Sequence, residues 1–292
     1  MNPVVYAADI GSIAGGNFGW SRIDPIAEAS VAERRGGTQI NELIGALEED
    51  LDERRRTVAM GFECPLMVPV PEASELLGKA RAGDGNRAWS AGPGASALAT
   101  GITQTAWILS ELRNRCPEAT AYLDWDNFTE AQAGLFLWEA FVTGAAKSAT
   151  HVDDALIAAR TFVDALPDPR KSNAVSADRP LSVIGAALLW SGWTTDPAVL
   201  HQPCLVIKSD PVRSADRRQF GLAAEAATTM SRSSVSKLCL CGCGASVARR
   251  FRPGHDAKLK YRLLHAMNLG DPDARDRLKE LGWLPADRSP WS

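Results

Sequence analysis

An apolar run that ends on a carboxylate opens the chain, and it limits the fold more than any other stretch. Val4, Val5, Tyr6, Ala7 and Ala8 lead into Asp9; Gly11, Gly15 and Gly16 follow, then a second apolar piece around Phe18 and Trp20. Four to eight apolar residues bounded by glycines predict a buried strand, and the glycines permit a tight return into a second one. Asp9 then stands near the end of a central strand. A carboxylate there is costly to bury unless it is paired or bound to a metal. The plainer alternative is an Asp that caps the following turn through its side chain.

Two further apolar runs carry an acid. Residues 57–62 (TVAMGF) run into Glu63, and Pro65, which lacks an N–H and disfavours helix at Cys64, stops the strand there. Residues 136–141 (FLWEAF) carry Glu139 in their middle. Helices are predicted over 38–51, where Ile40, Leu43, Ile44, Leu47 and Leu51 share a face, and over 100–112. A third begins at His151, with Val152, Leu156, Ala159, Phe162, Val163 and Leu166 on a broad apolar face. Asp153 and Asp154 fall in its first turn, where the helix dipole by itself favours acids. Residues 78–94, rich in Gly, Ala and Arg, predict a long loop. Residues 120–126 read as strand or turn, 181–190 as helix or strand, and 204–207 as a short strand.

Asp9, Glu63, Glu139 and the Asp153/Asp154 pair are therefore the candidate site. Carboxylates converging on strand ends hold Mg²⁺ or Mn²⁺, hard cations that take oxygen ligands. Two such ions about 4 Å apart can activate a water and stabilise the leaving oxygen in phosphodiester cleavage.

On the DIGS turn at Asp9, the GFECPL segment at Glu63, the WEAFVTG segment at Glu139 and the HVDDALIAA helix, the first 210 residues resemble the ribonuclease H-like superfamily, in its predicted-nuclease branch. The resemblance implies a mixed five-stranded sheet flanked by helices, with acids supplied by the first strand, a later strand and a C-terminal helix. It implies Asp9 and Glu63 as metal ligands and Asp154 as the helix ligand, with Asp153 as its substitute. Glu139 would be a supporting ligand or base. Glu63 stands where many relatives carry Asp, and its longer side chain moves the metal outward. Asp-x-Gly-Ser also resembles the first phosphate loop of actin-like and sugar-kinase ATPases, but no second copy of the pattern is visible.

Charge separates the last part of the chain from the rest. Residues 211–292 hold 15 Lys and Arg against 8 Asp and Glu, so in a chain of net charge −3 the remainder carries −10. An acidic body (1–210) and a basic module (211–292) point to two domains with different partners. Cys239, Cys241 and Cys243 alternate, and His255 follows twelve residues later. Gly242 and Gly244 let the backbone curl around one ion, so a structural Cys₃His zinc site is expected; free thiols in a glycine-rich loop are the alternative. Arg249, Arg250, Arg252, Lys258 and Lys260, interleaved with Phe251 and Tyr261, are the expected nucleic-acid contacts. A solvated basic face is the other reading.

Crowded cysteines beside scattered ones favour a reducing compartment, and no signal peptide or membrane span is visible, so a cytoplasmic location is expected. The expected activity is a metal-dependent nuclease acting on DNA or RNA. A non-catalytic nucleic-acid-binding or assembly protein on the same fold is the alternative, ahead of an ATPase. Oligomeric state is not legible in the sequence.

Overall fold

The computed structural model describes residues 1–26, 35–85, 88–142, 146–209, 237–240, 246–247, 255–268, 270–281 and 283–284. The chain forms two compact units, residues 1–223 and 224–292.

The first unit is built on a mixed sheet. In chain order its strands are β1 (Val4–Asp9), β2 (Gly19–Ile23), β3 (Arg35–Gly37), β4 (Val58–Phe62), β6 (Ala121–Tyr122), β7 (Leu135–Phe141) and β9 (Val206–Lys208). The order across the sheet is β3-β2-β1-β4-β7-β6, with β9 also pairing β7. β3, β2 and β1 form an antiparallel meander, and β4, β7, β6 and β9 join parallel. A small second sheet pairs β5 (Met67–Pro69) with β8 (Pro180–Ser182). The α/β class and the flanked mixed sheet are as expected, but the sheet has seven strands and not five, because the short β3 and β6 extend its two ends; β3 and β5 are not legible in the sequence.

β1 is buried along its whole length because both faces of the sheet are covered. Val4, Tyr6 and Ala8 face one core and Val5 and Ala7 the other, as the two-residue period of a strand requires. The first core is closed by α1 (Ile40–Glu48), α2 (Gly92–Arg115) and α5 (Val183–Trp190). The second is closed by α3 (Trp125–Ala131) and α4 (His151–Asp164), which bring Trp125, Phe128, Ile157 and Phe162 onto Phe136 and Trp138. Each such side chain contributes roughly 1.5–3 kcal/mol when fully buried, so α4 is held mainly by this apolar face.

Several boundaries moved. The helix expected over 38–51 gives way to a π-helical turn, Glu49–Glu53, whose Asp50 is buried. Asp50 accepts from Tyr6 Oη at 2.6 Å and from Arg22 Nε at 2.6 Å, which ties this turn to β1 and β2. α2 starts at Gly92, eight residues before expectation, and so shortens the loop that precedes it. Residues 181–190 divide between β8 and α5, with Ser182 capping the helix through Gly185 N–H.

The second unit holds a hairpin of β10 (Lys237–Leu238) and β11 (Ser246–Val247), followed by helices α6 (His255–Asn268) and α7 (Pro272–Glu280). Asp271 caps α7 by accepting from the N–H groups of Asp273 and Ala274, and Ala274, Leu278 and Leu281 are buried. Among the described residues no helix is long and apolar enough to cross a membrane.

Candidate metal centre

Three of the expected acids meet. One oxygen from each of Asp9, Glu63 and Asp154 lies within 4.8 Å of the others. Each comes from a different element: Asp9 ends β1, Glu63 follows β4, and Asp154 sits in the first turn of α4.

The backbone explains the convergence. β1 and β4 are parallel neighbours, and Glu63 N–H donates to Ala8 O at 2.8 Å, so both acids leave the sheet at the same edge. Pro65 then turns the chain away. Gly101 of α2 packs on that turn: a Cβ there would lie 2.4 Å from Cys64 Sγ. The helix acid arrives through Gly19, the register partner of Asp9. A Cβ on Gly19 would lie 2.4 Å from the backbone of His151 and Val152, so only glycine lets the start of α4 rest on β2. Ser21 Oγ fastens the contact by donating to Val152 O at 3.0 Å.

Asp153 and Asp154 have different tasks. Thr150 caps α4 by accepting from Asp153 N–H at 3.1 Å, and its own hydroxyl donates to the Asp153 carboxylate at 2.8 Å. Asp153 therefore serves the start of the helix through its reciprocal bonds with the Thr150 hydroxyl. Asp154 is buried and faces the other acids; it accepts from Ser148 N–H.

A lysine and a histidine join the cluster, and no sequence pattern marks either as a site residue. Lys147 Nζ lies 2.9 Å from Glu63 Oε1, 3.1 Å from Asp154 Oδ2 and 3.8 Å from Asp9 Oδ2. His151 Nδ1 is hydrogen-bonded to Asp9 Oδ2. Burial works against the Lys147 charge, but Glu63 and Asp9 outweigh it and raise its pKa. For Glu63, burial and then the Asp9 charge push the carboxyl well above the usual range, with Lys147 opposing them. Glu63 Oε2 is buried and has no hydrogen-bond partner.

Glu139 stands apart from this set. Arg81 grips it with two nitrogens, at 2.8 Å on Oε2 and 2.6 Å on Oε1, and Leu66 N–H adds a third bond at 2.9 Å. Asp84 accepts from Arg81 N, Nε and Nη2, and Met67 O takes a further Arg81 N–H. Burial raises the Glu139 carboxyl, and Arg81 and Leu66 pull it back. With both its oxygens engaged, Glu139 is a structural anchor in this arrangement. A cavity of about 40 Å³, lined by both Glu63 and Glu139, has room for a water.

The donor set suits a hard divalent ion: all oxygen, three carboxylates from three elements, one buried oxygen without a partner. Oxygens opposite each other around Mg²⁺ lie about 4.2 Å apart, given Mg–O distances of about 2.1 Å. Only one pair of the three can be opposite, and adjacent oxygens at the same Mg–O distance lie about 3.0 Å apart, so an ion would draw the three carboxylates closer together than they stand.

In the second unit Cys239 is buried on the hairpin and His255 opens α6. Cys241, Cys243, Arg249, Arg250 and Arg252, and the side chains of His255 and Lys258, lie outside the described residues. Lys260 is exposed on α6. No protein-family model matches the chain, and no curated protein or solved structure matches it significantly.

Proposed function

We propose that this protein is a metal-dependent nuclease of the ribonuclease H-like kind, with Asp9, Glu63 and Asp154 as the ligands of Mg²⁺ or Mn²⁺. The observation that carries the reading is the meeting of these three carboxylates, one of them with a buried oxygen lacking a partner. The antiparallel meander followed by parallel strands supports it, since the acids leave the first strand, its parallel neighbour and a later helix.

When bound, the ion supplies a water made acidic enough to attack and a charge that stabilises the leaving oxygen. The chain does the rest. His151 orients the Asp9 carboxylate, and Ser148 N–H orients that of Asp154. The glycine turn after Asp9 exposes Ile13, which with Trp107 of α2 lines a groove of about 370 Å³. An unstacked base fits such a surface. The basic second unit brings the polyanion, its fold secured by zinc on Cys239, Cys241, Cys243 and His255. The spacing of these four residues carries that ligand set; of their side chains only that of Cys239, which is buried, lies among the described residues.

One observation favours a second reading. Lys147 already bridges the acids, as it would in a nucleic-acid-binding protein that keeps the fold without the chemistry. Cleavage of labelled single- and double-stranded DNA and RNA with Mn²⁺ or Mg²⁺ separates the two. Under the nuclease reading, Asp9→Asn, Glu63→Gln and Asp154→Asn each lower cleavage by about 100-fold or more and retain binding. Absence of cleavage by the wild type on all four substrates overturns that reading.

A further inference from the structure

We infer that Lys147 is a built-in competitor for the divalent ion: its ammonium fills the place the ion takes, and the ion enters only by ejecting it. This rests on the metal reading above.

Three observations carry it. The first is position. Lys147 Nζ reaches carboxylates on β1, after β4 and on α4, the same three groups that form the ligand set. An ion about 2.1 Å from those oxygens would overlap an ammonium held 2.9 and 3.1 Å from two of them. Two cations cannot share the place.

The second is charge. Three carboxylates face this single ammonium and His151. Without Lys147 the acids would repel one another across a few ångströms in a buried setting, where charges interact strongly. The lysine therefore holds the ligands together until the ion arrives.

The third is freedom to leave. Arg81, which neutralises Glu139, has a side chain only 2% exposed, whereas that of Lys147 is 31% exposed. An ammonium on a flexible four-carbon stem can swing into water. Its chain neighbours are anchored: Ala146 is buried and Ser148 N–H is bonded to Asp154. The charge thus remains tethered beside the cluster after it is displaced.

The test is Mn²⁺ binding to the full chain, by calorimetry and by the rise in Tm on adding Mn²⁺, for wild type, Lys147→Met and Lys147→Gln. Lys147→Met is expected to bind Mn²⁺ about tenfold more tightly or better. It is also expected to lose Tm without metal and to regain it with metal. Should Lys147→Met fail to fold, Lys147→Gln, which keeps hydrogen bonding without charge, reports the same affinity change. Equal or weaker Mn²⁺ affinity in these variants overturns the inference, as does absence of Mn²⁺ binding in all three proteins. Tighter binding in the variants with no polynucleotide cleaved by any form supports the role of Lys147 and overturns the nuclease reading alone.

Discussion

Glu139 lies on β7 opposite Phe62 of β4, and Glu63 is the next residue along β4's course. Both are buried glutamates at one edge of one sheet. Arg81 and the Leu66 N–H occupy both oxygens of Glu139, whereas Glu63 has one oxygen bonded by a lysine and the other by nothing. Burial costs the two side chains alike; what differs is whether the surrounding loops return the lost hydrogen bonds. A fully bonded acid serves the fold. An acid kept short of partners next to two others leaves coordination capacity that an ion can use.

The sharpest way to break this contrast is Arg81→Met. It strands Glu139 and Asp84 in the core and should cost about 3–5 kcal/mol of unfolding free energy. Glu63→Gln should leave stability unchanged or raise it. If urea titration shows both variants equally unstable, the contrast is wrong. Gly19→Val comes next. Its side chain meets the backbone of His151 and Val152, so α4 must shift, at about 1–3 kcal/mol. Mn²⁺ binding should fall with it, while Gly45→Ala, on an open face of α1, should keep both.

The pH dependence of stability sharpens the contrast further. Glu63 titrates above its unfolded value of about 4.3. Its contribution is therefore full below that pH and is lost as pH rises through the folded pKa. Asp50 behaves oppositely. Burial works to raise it, but Arg22 and Tyr6 win and hold it below the usual range. Its contribution is present above about pH 3.9 and disappears as pH falls through the folded pKa. Melting curves across pH should show the loss on the alkaline side vanish in Glu63→Gln and the loss on the acid side remain. The smallest effect is that of Asp153→Ala, about 0.5–1 kcal/mol from the lost bond to the capping Thr150 hydroxyl, with cleavage retained. Loss of cleavage in that variant would move Asp153 into the metal site.

Asp9 and Glu63 were legible because the signal is local: an apolar run, then an acid, then a glycine or proline that ends the strand. Asp154 was legible as a first-turn acid, and the resemblance preferred it to Asp153; helix periodicity alone does not separate them, since the choice depends on Thr150, Ser148 and Lys147 folding back on the helix start. Glu139 lies inside its apolar run and not at its end, and its partner from the 78–94 loop shows that it serves the fold. The 78–94 stretch reads only as a long loop, so Arg81 carried no signal. Nor did Lys147, a lone charge in a small polar segment. The role of Gly19 lies in a contact with α4, which no strand pattern announces.

The three acids also lie far apart along the chain, on the first strand, the fourth and a late helix. A metal held by all three would act as a reversible cross-link closing two long loops. The connectivity of the folded chain would then vary with the supply of divalent ion, and a chain cut anywhere between Asp9 and Asp154 would still be clasped while the ion stayed in place.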